Sequence, residues 1–282
     1  TSIAVAERPV RKQQTRRAAE STTVIDELSS LVGLRHVKEL INRLIAQQKI
    51  GSLRQSSGLV AVLPSPHLVF AGNPGTGKTT VARLVGRLYK DLGLLSKGHV
   101  VEVDRSNLVA AYIGQTALRT KEACQKALGG VLFIDEAYSL VGGGQDYGKE
   151  AIETLLTFME ANRGNIVVVA AGYPDRMQKF LDSYPGLRSR FYLTLQFDDY
   201  SVDEMIQIFQ NLLDQNEYDI TDAARTEVCH IVQELTRGES FANARQIRTL
   251  FNDMVGEHAA SLAGIANVTP QQLRLFTTMA IP

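Results

Sequence analysis

Gly72-Asn73-Pro74-Gly75-Thr76-Gly77-Lys78-Thr79 is the stretch from which the fold can be read. It spells G-x-x-x-x-G-K-T, a phosphate-binding loop. His67-Leu68-Val69-Phe70-Ala71, directly before it, is an apolar run that suits a buried strand. Residues 81–89, directly after it, have helical spacing. Strand, glycine loop and helix is the context this pattern requires. The physics is anion capture. Glycines let successive backbone N–H groups turn inward around phosphate oxygens, and the following helix points its positive end at them. Lys78 has the reach for the β and γ phosphates of a nucleotide, and the Thr79 hydroxyl is placed to ligate Mg²⁺.

Working outward, residues 131–134 are four apolar residues ending in Asp135-Glu136. In an open parallel sheet, ligands bind at the carboxyl ends of the strands. Asp135 is therefore placed to hold Mg²⁺, mostly through water, and Glu136 to polarise an attacking water. Two acids after a strand can also be a helix cap, but about fifty residues after a phosphate loop they read as the second half of one site. Further strands are expected over residues 99–103, 165–171 and 192–197. Helices are expected at 120–128, at 149–162 and from Pro174-Asp175 through Leu181. Asp104 or Ser106 is the expected cap of a short helix before residues 111–116.

Ahead of the phosphate loop, residues 24–45 show helical spacing interrupted by Val32-Gly33-Leu34. Val32 and Gly33 are candidates to wrap a nucleotide base, or a plain turn between helices. Residues 51–66 contain Ser, Gly and Pro and read as a loop. After Asp199 strand signals mostly cease. Helical patterns cover 201–215, 221–235 and 242–262, with a short helix opened by Thr269-Pro270. The expected fold class is α/β, a P-loop NTPase parallel sheet with helices on both faces, followed by a small all-α lid. The expected division is a basic flexible arm or linker over 1–23, a nucleotide-binding domain over 24–198 and a lid over 199–282.

Bulk properties narrow the function. With 30 basic and 30 acidic residues in 282, the chain has no net charge to draw nucleic acid or an anionic membrane. Only the arm, with Arg8, Arg11, Lys12, Arg16 and Arg17, supports a nucleic-acid motor or loader. Cys124 and Cys229 suggest no disulfide framework, which suits a reducing cytoplasm. No apolar run has the length of a membrane span, and the five histidines show no metal-ligand spacing.

With both landmarks in place, the chain resembles the AAA+ ATPases. It is most similar to the branch of the red-type Rubisco activase CbbX (CfxQ) and the sporulation protein SpoVK. The segments that carry the likeness are residues 72–82, Lys97-Gly98-His99, Tyr112-Ile113-Gly114-Gln115-Thr116, residues 128–138, Ala171-Gly172-Tyr173, residues 185–191 and Phe241-Ala242-Asn243-Ala244-Arg245. The likeness runs over about residues 25–262. It implies roles position by position. Asn73, Pro74, Gly75, Thr76, Gly77, Lys78, Thr79 and Thr80 would form the Walker A loop, and Asp135 and Glu136 the Walker B acids. Arg190, with Arg188 as partner or rival, would be an arginine finger serving the next subunit. Arg245 would be the sensor-2 arginine of the lid. Tyr112, Ile113 and Gly114 would form a central pore loop that grips a peptide, with residues 141–147 as a second loop. The implied cofactors are ATP and Mg²⁺. The implied partners are further copies of the chain in a hexameric ring and a client protein, Rubisco among the possibilities. One departure stands out. Many AAA+ proteins have a polar sensor-1 residue at the end of the strand over 165–171, where this chain has Ala171-Gly172-Tyr173; Tyr173 is the candidate there.

Overall fold

The computed structural model describes residues 23–60, 65–110, 114–142, 147–191, 193–235 and 241–282. The expected arm over 1–23 and the pore-loop residues Tyr112 and Ile113 lie outside them, apart from Thr23 at the arm's end. So do residues 143–146 of the second loop.

Two helices come first, α1 (Val24–Ser30) and α2 (Arg35–Ser56). Thr23 and Asp26 cap α1 reciprocally, each side chain accepting from the other's backbone N–H. Helix α2 runs past Gly51, where the sequence reading places a loop. Gly51 extends the buried stripe of Val37, Ile41, Leu44 and Gln48, so packing overrides the glycine's low helix propensity. The core then alternates: β1 (Leu68–Gly72), α3 (Lys78–Asp91), β2 (Val100–Val103), α4 (Arg105–Leu108), α5 (Gln115–Lys126), β3 (Val131–Ile134), a 3₁₀ turn (Ala137–Leu140), α6 (Tyr147–Ala161), β4 (Val167–Gly172), α7 (Pro174–Ser183), α8 (Leu187–Arg190) and β5 (Leu193–Phe197).

The strands form one parallel sheet in the order β2-β3-β4-β1-β5. Strands β1, β3 and β4 are buried along their whole length, as unbroken apolar runs require in a sheet covered on both sides. Alternate residues serve opposite faces. Leu68, Phe70, Phe133 and Val169 pack with Val37, Ile41, Val81 and Val85 of α2 and α3. Val69, Leu132, Ile134 and Val168 pack with Cys124, Ile152, Leu155 and Phe180 of α5, α6 and α7. Register then brings the strand ends level, with Ala71 opposite Gly172 and Ile134 opposite Ala170. The Asp135-Glu136 pair therefore emerges on the same edge as the phosphate loop.

The lid comprises α9 (Val202–Gln215), β6 (Asp219–Ile220), α10 (Asp222–Leu235), α11 (Ala244–Leu262), α12 (Pro270–Arg274), β7 (Leu275–Phe276) and a final 3₁₀ turn (Thr278–Ala280). It has its own core, built on Met205, Phe209, Leu213, Val228, Ile247, Met254 and Phe276. The helices stand as expected, and a two-residue parallel ladder, β6 with β7, adds to them. It fixes the C-terminal segment, where Tyr218 stacks on Phe276 at 4.4 Å between centroids. No described helix is long and apolar enough to cross a membrane.

Candidate nucleotide site

The phosphate loop leaves β1 at Gly72 and enters α3 at Lys78. Gly75 and Gly77 have φ of 75° and 92°, the left-handed region that glycine tolerates. Packing adds a second constraint that the motif does not show. A Cβ on Gly75 would collide with the Ala242 carbonyl oxygen, and one on Gly72 would lie 2.5 Å from the Phe197 carbonyl oxygen. Thr76 is fully buried and its hydroxyl donates to the Asn73 carbonyl at 2.8 Å. The Lys78 ammonium donates to the carbonyls of Gly72 at 2.8 Å and Asn73 at 2.7 Å. Burial lowers its pKa from the ordinary lysine value; Asp135 raises it, Arg245 lowers it and Asp199 raises it.

Asp135 follows β3 and accepts the Glu136 N–H at 3.0 Å. Glu136 has φ of 47°, uncommon for a non-glycine residue and held here by the sharp turn into the 3₁₀ segment. The Tyr138 phenol, two residues on, is pushed above its usual value by burial and then by the Glu136 carboxylate, while Arg176 draws it down.

A cavity of about 360 Å³ joins these parts. Gly72, Pro74, Gly75, Gly77, Lys78, Thr79 and Thr80 line it from one side, and Asp135, Glu136, Gly172 and Tyr173 from another. Ala244, Arg245 and Arg248 of the lid close it. Of the residues expected at a nucleotide, Asn73 and Thr76 support the loop from behind. Val32 is buried and Gly33 (φ 61°) packs against Glu204 and Tyr200 of the lid, but neither lines the cavity. Arg248 is new. Its signal in the sequence is its place one helical turn beyond Arg245.

The lid is tied to the phosphate loop by polar contacts that run from the exposed Asp199 to the buried Asn243. Asp199 accepts two bonds from the Asn73 amide, at 2.9 and 3.0 Å, and one from Asn243 at 2.7 Å. Asn243, fully buried at φ 54°, also donates to the Pro74 carbonyl at 3.2 Å and accepts the Tyr200 N–H at 2.9 Å. Its backbone is the reason α11 begins at Ala244 rather than at 242.

Arg188 and Arg190 are not in the lining of this cavity. Arg190 pairs with Glu160 at 3.1 Å, and its carbonyl accepts from Ser65 at 2.6 Å. Arg188 pairs with Asp182. The segments on either side of residues 111–113 are joined by two fully buried threonines. Thr116 accepts the Ala110 N–H at 3.0 Å, and Thr120 donates to the Leu108 carbonyl at 3.1 Å. Gly114 caps α5 at φ 78°. Arg105, at the start of α4, donates to the Ser139 carbonyl at 2.6 Å, three residues past Glu136.

The donor set suits a small hard cation shared with a nucleotide, since Thr79 and Asp135 offer oxygens alone. Among the described residues no group of three or more His, Cys, Asp or Glu side chains could hold a metal.

Residues 68–198 match the model of the ATPase family associated with various cellular activities (AAA), and residues 201–279 match the AAA lid domain. The chain is 44% identical over 260 residues to protein CbbX of Cereibacter sphaeroides, covering 91% of this chain and 84% of that one. It is 41% identical over 240 residues to stage V sporulation protein K of Bacillus subtilis (84% and 74% covered). A chloroplastic ribulose bisphosphate carboxylase/oxygenase activase of Cyanidioschyzon merolae is 40% identical over 250 residues (88% and 85% covered). Among solved structures, the FIGL-1 AAA domain with ADP superimposes with a TM-score of 0.61 at 19% identity, covering 98% of this chain and 90% of that one. That likeness concerns the fold alone. Phosphate loop, paired acids, lid arginines and the two family matches agree, and the chain belongs to the AAA family of ATPases.

Proposed function

We propose that the protein works as a homo-hexameric ring that hydrolyses ATP to remodel a client protein, with Arg190 of each copy completing the neighbour's site. The observation that carries this is the separation of parts. Lys78, Thr79, Asp135, Glu136 and Arg245 line one cavity, while Arg190 and Arg188 lie outside it on α8.

Hydrolysis is an in-line displacement. Water attacks the γ-phosphorus, the bond to the β–γ bridging oxygen breaks, and Glu136 takes the proton of the water. Lys78 exchanges its two carbonyl partners for phosphate oxygens, so its donors stay occupied throughout. Thr79 and Asp135 would hold Mg²⁺, whose charge draws electron density from the phosphate oxygens. The neighbour's Arg190 adds positive charge where the transition state gathers negative charge; trans-acting arginines contribute about 10³ to 10⁵ in rate. Arg245 and Arg248 of the lid face the same phosphates, so loss of the γ-phosphate shifts the lid and, through the ring, the loop carrying Tyr112.

The client is a protein chain gripped by Tyr112-Ile113-Gly114. Rubisco is one such client, favoured by the relatives that carry activase names; near-equal identity to a sporulation protein gives that branch similar weight. Capture by a Glu136→Gln trap identifies the client.

Mixing two dead variants tests the shared site. Arg190→Ala keeps Glu136, and Glu136→Gln keeps Arg190. Each alone is expected to be nearly inert, and mixed rings should regain ATPase activity at mixed junctions. No recovery on mixing would rule out Arg190 acting in trans.

A further inference from the structure

Beside the nucleotide cavity lies a second hollow of about 370 Å³, lined by Glu136, Tyr138, Tyr173, Asp175 and Arg176. Glu136 and Tyr173 line both spaces. The Arg176 guanidinium carbon lies 5.0 Å from the ring centroid of Tyr138 and 5.4 Å from that of Tyr173. The two rings are themselves 6.1 Å apart and tilted by 47°. A planar cation against two ring faces is a stiff arrangement, because quadrupole attraction and flat packing favour the same pose.

The Tyr138 ring also rests on Gly172, the last residue of β4. A Cβ there would stand 2.6 Å from Cδ1 and 2.8 Å from Cε1 of the ring. This accounts for the missing polar residue at the strand end: the position is kept bare so that Tyr138 can lie across it. The Tyr138 side chain thus faces the same hollow as Glu136 and Arg176. Glu136 itself is an exposed side chain on a backbone at φ of 47°, and its turn alone does not fix where the carboxylate points.

We propose that Tyr138 and Arg176 are positioning residues for Glu136: Arg176, packed against two tyrosine rings, locks Tyr138 over Gly172, and the phenol hydroxyl holds the Glu136 carboxylate toward the nucleotide cavity. This rests on Glu136 taking the proton of the attacking water. Neither residue touches the nucleotide, so both act on turnover and not on nucleotide binding.

The test uses the full chain, with steady-state ATPase kinetics and the affinity for a fluorescent ADP analogue. Tyr138→Phe and Arg176→Met are each expected to lower kcat on the order of 10- to 100-fold, the scale of a misplaced reacting group. KM and analogue affinity should stay within about two-fold of the parent, well inside that effect. Arg176→Lys, which keeps the charge, should recover part of the loss. In a Glu136→Gln background Tyr138→Phe should cause no further loss, because its effect passes through Glu136. Unchanged kcat in both single variants overturns the proposal, as does an equal loss of analogue affinity or a full additional loss in the Glu136→Gln background. Normal turnover by Glu136→Gln alone would instead remove Glu136 from its role, and the positioning proposal with it.

Discussion

Replacing Asn243 by alanine should uncouple the lid from the phosphate loop, and the structure sets the size of the effect. The substitution deletes the bond from the Tyr200 N–H at 2.9 Å, the bond to the Pro74 carbonyl at 3.2 Å and the bond to Asp199 at 2.7 Å. Two are neutral, each worth about 1 kcal/mol net, and the one to a carboxylate is worth about 2. The side chain is fully buried, so water does not replace them readily. The backbone adds a separate contribution, because alanine tolerates φ of 54° less well than asparagine. A loss of about 5 kcal/mol in unfolding free energy is the expectation, about 4 from the bonds and about 1 from the backbone. Asn243→Gly separates the two contributions: it loses the same bonds but relaxes the backbone, and should cost about 1 kcal/mol less than the alanine variant. Urea denaturation of the nucleotide-free protein, followed by tyrosine fluorescence, gives both values, and ADP affinity should fall in parallel. An alanine variant within 1 kcal/mol of the parent, or a glycine variant less stable than it, would refute the reasoning.

Acid should weaken the protein through His67. Burial first, and then the Arg190 charge, hold its imidazole down at about 4, while Nδ1 accepts the Val168 N–H at 3.0 Å. The unfolded chain takes up a proton near 6.5 and the folded one does not. Stability present above about pH 6.5 is therefore lost as pH falls toward 4, by up to ~3 kcal/mol, and His67→Gln should flatten that slope in a pH series of urea titrations. Gly75→Ala should abolish nucleotide binding and lower the melting temperature, since its Cβ meets the Ala242 carbonyl at a φ of 75°; retained affinity in a calorimetric titration with ADP would contradict the collision. Tyr112→Ala should leave basal ATPase rates within about two-fold, a small change beside the order-of-magnitude losses of catalytic variants, yet stop client remodelling. Unchanged remodelling would sink the threading reading.

Much of the core is legible because its signals are local. Residues 131–134 are apolar without interruption and end in two acids, so both the strand and its site-bearing end can be read. Asp104 caps α4 through its own side chain, a contact of two or three residues' reach. What stays hidden depends on distant groups. Gly51 reads as a breaker until the sheet beneath α2 is present. The β6–β7 pair is two residues long and joins segments more than fifty residues apart, so no periodicity can announce it. The pairing of Asp199 with Asn73 and Asn243 has the same character, and so has the packing of Arg176 against two tyrosines. Arg190 reads as a site residue by resemblance, but its pairing with Glu160 across α6 and α8 belongs to the folded chain.

The Arg105–Ser139 bond has a mechanical consequence. It bolts α4, the helix that leads toward residues 111–113, to the turn that carries Glu136. A hydrogen bond from a charged donor is worth about 1.5–3 kcal/mol, a few times thermal energy, so the two elements stay joined most of the time. Thr116 and Thr120 of α5 bond back to Ala110 and Leu108, the end of α4 and the residues just after it. A displacement at Glu136 is thereby passed to residues 105–110 as by a short crank, with little lost as internal play.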